Sequence, residues 1–186
     1  MEHSPKIIHY PNSQIMKKLL TTSLVFSWIL FYAQNFDLST LRIGEFKVYQ
    51  DKKQAKEVAK KKLILDNGVD SYNMVDYYGE KIALYCSTNY FENQNKTIKE
   101  VVYSIKTKSK KFKTKSGMGV GSTREELINT YKNYPNFSLF SYKDDANPNL
   151  IHASFSLKDT DAGTSLYFTL ENNIVTEIMV TIEEGC

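Results

Sequence analysis

Four stretches alternate apolar and polar residues with period two, and this pattern restricts the fold more than any other feature of the chain. Ile151, Ala153, Phe155 and Leu157 alternate cleanly, as do Leu166, Phe168 and Leu170, then Ile178, Val180 and Ile182, and in the first half Val101, Tyr103 and Ile105. Successive side chains of a strand point to opposite faces, so each stretch presents one apolar face, as in an antiparallel sheet packed on one side. Adding the runs bounded by turn residues predicts strands over Tyr72–Tyr78, Ile82–Thr88, Ile98–Thr107, Phe137–Tyr142, Leu150–Leu157, Ser165–Leu170 and Ile174–Ile182.

Two segments carry helical spacing instead. In Asp51–Leu65 the apolar residues Ala55, Val58, Ala59, Leu63 and Ile64 form one stripe among lysines, and Asp66-Asn67-Gly68 is a stop signal. Ser122-Thr-Arg-Glu125 is a capping box, in which each residue's side chain meets the other's backbone amide. It predicts a helix whose stripe is Leu127, Ile128 and Tyr131, ended by Pro135. Helix-then-strands therefore occurs twice. Ile98–Ile105 lies over Val175–Ile182 and Gly44 over Gly121, both at a separation of 77, while Leu84–Ser87 over Leu166–Thr169 needs 82. The expected class is α+β: two tandem units, each a helix packed on a three- or four-stranded antiparallel meander, with residues 35–116 as the first repeat with a basic linker and 117–186 as the second.

Residues 1–34 stand apart. Met16-Lys17-Lys18 followed by the apolar run Leu19–Ala33 has the layout of a secretory signal and is shorter than a bilayer span. The expectation is export to the periplasm or extracellular space, with cleavage near Ala33-Gln34, a start at Met16, and Met1–Ile15 as an upstream extension. An uncleaved N-terminal anchor is the alternative. No transmembrane span is expected after signal removal.

Charge is distributed unevenly. Residues 35–116 hold 17 basic and 10 acidic side chains, against 4 and 10 in residues 117–186, so the halves carry about +7 and −6. Lys106, Lys108 and Lys110, then Lys111, Lys113 and Lys115, alternate around Phe112, and an extended chain would display them as two rows. That strip suits an anionic envelope component or an acidic protein surface; it equally suits protection of a sheet edge. Nucleic acid is disfavoured, since no nucleic-acid motif accompanies the charge. Tyr77, Tyr85 and Tyr167 are further candidate partner-binding residues, because tyrosine supplies large contact area at low entropic cost, with packing as the competing role. Oligomeric state is not legible in the sequence.

No catalytic, cofactor or metal residues emerge. Gly117-Met-Gly-Val-Gly121 lacks the lysine of a phosphate loop and the spacing of a dinucleotide fingerprint, so it reads as a turn before a helix. Asp159-Thr-Asp161-Ala-Gly163 lacks the distal glutamate of a calcium loop and reads as a strand connection. His152 falls on the polar face of its strand with Ser154 and Ser156; a hydrolase-like enzyme centred on it is one alternative function, and a structural envelope protein another. Cys86 and Cys186 are the only cysteines, and an oxidising compartment would allow a disulfide between them.

Gly119-Val-Gly-Ser-Thr-Arg-Glu-Glu-Leu127, with Tyr131 behind it, resembles a motif of small exported bacterial proteins in the families of the beta-lactamase inhibitor protein and the small outer-membrane assembly lipoprotein. Their shared unit is a helical segment on a short antiparallel sheet, and the inhibitor carries it twice. The resemblance implies a non-enzymatic binding protein outside the cytoplasm. The chain departs from it in two places: Ile43-Gly44-Glu-Phe-Lys-Val lacks the Ser-Thr cap, and no lipid-accepting cysteine follows the apolar run.

Overall fold

All seven expected strands are present and lie in one antiparallel sheet. The computed structural model describes residues 35–64, 72–91, 97–143, 147 and 150–183. The chain runs β1 (Leu38–Ser39), β2 (Arg42–Ile43), β3 (Phe46–Lys47), α1 (Lys52–Ala59), β4 (Asn73–Tyr77), β5 (Glu80–Phe91), β6 (Thr97–Thr107), α2 (Arg124–Tyr131), β7 (Phe137–Lys143), β8 (Ile151–Asp159), β9 (Thr164–Glu171) and β10 (Ile174–Ile182). The large sheet has the order β4-β5-β6-β10-β9-β8-β7. Two meanders therefore meet at their final strands, β6 and β10, and both contribute to one compact unit that begins at Phe36. The signal-like segment lies outside the described residues. Among the described residues no helix is long and apolar enough to cross a membrane.

The period-two pattern becomes two unbroken rows on the core face. Val75, Ile82, Thr107, Ile178, Phe168, Phe155 and Leu139 face one another strand by strand, and so do Asn73, Leu84, Ile105, Val180, Leu166, Leu157 and Phe137. Most of these side chains are fully buried, and removing that much apolar surface from water is the main stabilising term of the fold. Onto this face pack Ala55 and Ala59 of α1, Leu127 and Tyr131 of α2, and Ile43 and Phe46 of the small β1-β2-β3 sheet. Tyr131 stacks on Phe168 at 6.5 Å and lies 6.0 Å from Phe155.

Some expectations are corrected. The first helix is shorter than Asp51–Leu65: Asp51 caps it by accepting from Lys53 N at 2.7 Å, and it stops where Lys60 turns left-handed at φ 51°. Asn73 provides the reason. Its side-chain amide accepts from Ile64 N at 2.7 Å and donates to Ile64 O at 2.9 Å, so the chain after Lys60 is held against β4 instead of continuing the helix. The stop Asp66-Asn67-Gly68 lies outside the described residues. The second cap is Thr123 rather than Ser122: Glu126 N donates to Thr123 Oγ1 at 3.1 Å and Thr123 N to Glu126 Oε2 at 2.7 Å. Ser122 is committed elsewhere, since its hydroxyl accepts from Gly119 N and its carbonyl from Val175 N. Tyr103 does not share a face with Ile105. A β-bulge opposite Tyr85 and Cys86 turns Tyr103 to the other side, where its ring meets Tyr85 at 5.8 Å.

The same local geometry precedes both helices. Tyr49 (φ 64°) donates to Val102 O, Gln50 O accepts from Val102 N, and Asp51 bridges Val101 and caps α1. Gly121 (φ 90°) donates to Val175 O, Ser122 O accepts from Val175 N, and Thr123 bridges Ile174 and caps α2. The bulges also correspond, at Tyr103 in β6 and Thr176 in β10. These correspondences run at separations of 72 and 73, not 77. Gly44, matched to Gly121 in the sequence, instead turns the β2–β3 hairpin with φ 61°, and Tyr49 holds the equivalent place.

Candidate functional site

Opposite the core, the sheet has a second face on which neither described helix nor the small sheet packs. Its middle row crosses all seven strands: Met74, Ala83, Lys106, Met179, Tyr167, Ser156 and Ser138 stand in register. Beside it run Tyr85, Ser104, Thr181, Ser165 and Lys158. The period-two parity that buries Ile82, Leu84 and Cys86 necessarily puts Ala83 and Tyr85 here. Three of the sequence candidates, Lys106, Tyr85 and Tyr167, thus share one surface. Tyr103, Ser104, Met179 and Thr181 join them without having been singled out; strand parity was the signal for Ser104, Met179 and Thr181, whereas Tyr103 arrives only through the bulge.

One end of this face is aromatic. Tyr72 and Tyr85 have ring centroids 5.7 Å apart, Tyr85 and Tyr103 follow at 5.8 Å, and the Tyr72 hydroxyl lies 3.3 Å from Ser104 Oγ. Lys106 Nζ sits 4.4 Å above the Tyr72 ring, a cation–π contact that holds the ammonium over the sheet instead of letting it sweep through solvent. Across the row, the Tyr167 hydroxyl donates to Glu183 Oε1 at 2.8 Å. Hydrogen bonds from Ser165 and Tyr167 hold the Glu183 carboxyl below its ordinary range, while burial and the neighbouring carboxylate push the Tyr167 phenol up. The face therefore carries a fixed cation, a fixed anion and ring surfaces between them.

Tyr77 is a core residue, not a surface one. It shares parity with Val75, is buried, and donates its hydroxyl to Glu45 Oε1 at 3.2 Å. Nor do the lysines form a strip. Strand β6 ends at Thr107 because Phe112 is an apolar anchor that must be buried; the chain turns inward to seat it against Phe36 at 5.2 Å. Lys106 alone of the six lies in the strand. Lys108 is 3.9 Å from Glu177, Lys111 is 2.7 Å from Glu80, and Lys113 Nζ donates to Val120 O at 3.0 Å. Lys110 and Lys115 lie exposed in the connecting loop.

The remaining candidates occupy structural places. Gly119 brings the backbone close to Phe112 O, and Gly117 and Gly121 take positive φ values, so the glycine run serves the turn. Asp159 accepts from Ala162 N and from Thr40 Oγ1, closing its strand connection. His152 stacks on Tyr142 at 5.3 Å and stands opposite Glu171. Cys86 is a buried thiol whose pKa burial pushes up to about 11, and Cys186 lies outside the described residues. A cavity of about 620 Å³ lies between α1 and β4, with Glu45, Glu57, Asp76 and Tyr78 in its wall. Two of those carboxylates are engaged, Glu45 by Tyr77 and Asp76 by Lys81. Among the described residues no group of three or more His, Cys, Asp or Glu is placed to hold a metal ion. Compared with protein-family models, with curated proteins and with solved structures, the chain matches none.

Proposed function

We propose that this chain is an exported, non-enzymatic binding protein that recognises a protein or an anionic envelope component through the face of its sheet opposite the core. The observation that carries this reading is the row Met74-Ala83-Lys106-Met179-Tyr167-Ser156-Ser138, with the tyrosine cluster beside it. Such a surface combines rigid backbone, aromatic area and one positioned cation, which is the composition of a recognition patch. Export rests on the charge and length of the segment from Met16 to Ala33. The scaffold reads as two tandem copies of a helix-plus-meander unit. The matching caps, amide pairs and bulges at separations of 72 and 73 support that reading, and Lys106 paired with Met179, themselves 73 apart, would mark the twofold relating the copies.

Affinity capture from envelope extract and from anionic vesicles, with the full chain as bait, tests the face against the loop. Lys106→Ser combined with Met179→Ser is expected to lose the partner, and Lys110→Ser combined with Lys115→Ser to retain it. Retention by the first pair and loss by the second would reject the sheet face in favour of simple electrostatics. Fractionation of tagged chain tests export separately.

A further inference from the structure

We infer that β7 is a docking edge for a second copy of this chain, which pairs β7 with β7 antiparallel and continues the sheet across a twofold axis. The two outer edges of the sheet differ in kind. At β4 the edge is occupied: Lys61 Nζ donates to Met74 O at 2.8 Å, the Asn73 amide holds the Ile64 backbone, and Asp76 pairs with Lys81. Charges and local caps of this sort stop a strand from recruiting another. Among the described residues β7 has no such protection. Residues 137–142 read Phe-Ser-Leu-Phe-Ser-Tyr, with neither charge nor proline, and the described strand that pairs with β7 is β8. Phe140 is 66% exposed, Tyr142 54% and Phe137 39%. An edge strand with no charge from Phe137 to Tyr142 and with large exposed rings is otherwise an aggregation hazard, so a closed partner is the economical explanation of its persistence.

The register follows from the backbone. Lys158 N donates to Asn136 O at 2.9 Å, which makes residue 136 point its amide and carbonyl toward β8. By alternation residues 138, 140 and 142 do the same, and Phe137, Leu139, Ser141 and Lys143 point theirs outward. Only an extended strand satisfies that spacing, and this one is complementary to itself. Centring the pair on Phe140 sets Leu139 opposite Ser141 and Phe137 opposite Lys143, about eight backbone hydrogen bonds in all. The two Phe140 residues then meet at a non-hydrogen-bonded position, where Cα atoms approach to about 4.5 Å and side chains are closest. Position 143 of each copy falls opposite position 137 of the other, so the two copies of position 143 are not register partners. Because β4 is occupied at the far side, pairing ends at two copies and does not propagate into a fibre.

Sedimentation of the full chain over two decades of concentration tests this. A reversible dimer is expected; Phe140→Lys, which sets two ammonium groups across the axis, raises its dissociation constant on the order of a hundredfold. Ile64→Lys, on the chain held beside the opposite edge, leaves it unchanged. As a second readout, Phe140→Cys in a Cys186→Ser background is expected to form a disulfide dimer on oxidation, the close pair being within disulfide reach. Ser138→Lys combined with Tyr142→Lys, positions that the pairing sets opposite each other, repeats the perturbation should Phe140→Lys fold poorly by circular dichroism. A chain that stays monomeric and does not cross-link overturns the inference. So does a dimer indifferent to both lysine variants, or an assembly that grows beyond two.

Discussion

Replacing Gly119 by alanine isolates the packing role of the glycine run from any ligand role. A Cβ at position 119 would lie 2.4 Å from Phe112 O and 2.7 Å from Lys113 Cδ. The lysine can swing away, but it then gives up its hydrogen bond to Val120 O, a loss of about 1 kcal/mol. The carbonyl cannot swing. To restore ordinary contact it must retreat by roughly 1 Å, dragging Phe112, which is fully buried against Phe36 and tilted 6.1 Å from Tyr77. Overpacking strain of this kind adds about 1–3 kcal/mol, for a total of roughly 2–4 kcal/mol. At about 2–4 °C per kcal/mol for a chain of this size, the melting temperature falls by about 5–15 °C. Gly117→Ala is the internal comparison: its φ is 82° but nothing lies within 4 Å of the added carbon, so only the left-handed penalty of about 1 kcal/mol applies. Thermal unfolding followed by circular dichroism reads both variants in parallel. Equal melting temperatures for Gly119→Ala and Gly117→Ala would refute the close-approach argument, and a rise at Gly119 would refute it outright.

Other outcomes follow from single contacts. Thr123→Ala should cost about 1 kcal/mol in urea unfolding through the lost cap, and Ser122→Ala should leave the cap intact while orphaning Gly119 N; equal effects on α2 alone would restore Ser122 as the cap. Phe155→Ala should cost about 3–5 kcal/mol, because its ring fills the core between Phe137, Tyr131 and Phe168. Cys86, buried and with its thiol pKa pushed up to about 11, should resist thiol reagents in the native state and react on unfolding; labelling under native conditions would contradict its placement. The Glu183 carboxyl is held low by its Ser165 and Tyr167 hydrogen bonds. Its contribution is therefore complete above the unfolded carboxylate range and disappears as pH falls through the depressed folded value; Glu183→Gln should flatten the acid limb of a stability–pH curve.

The strands were legible because burial on one face writes itself into the sequence at period two. The β1–β3 sheet was not, since strands of two residues are shorter than the pattern that would reveal them. Ser122-Thr-Arg-Glu-Glu126 contains two overlapping capping boxes, and local chemistry cannot choose between them. The choice is tertiary, made when Ser122 O accepts from Val175 N. Tyr77 could have been assigned inside by its parity with Val75. The fate of the lysine run could not, because whether a strand extends past Thr107 depends on where Phe112 finds its pocket. Of the candidate surface, Lys106, Tyr85 and Tyr167 were found in the sequence, and their adjacency was not, since it requires knowing that β6 pairs with β10.

That pairing sets a condition on biosynthesis. Strand β10 occupies the middle of the sheet, flanked by β6 and β9, yet follows every other strand in chain order. Until it emerges, β6 has a bare edge, β9 has another, and the two meanders have no ladder between them. A chain built this way keeps its two meanders apart until its last described strand is available, and joins them when β10 pairs on both sides.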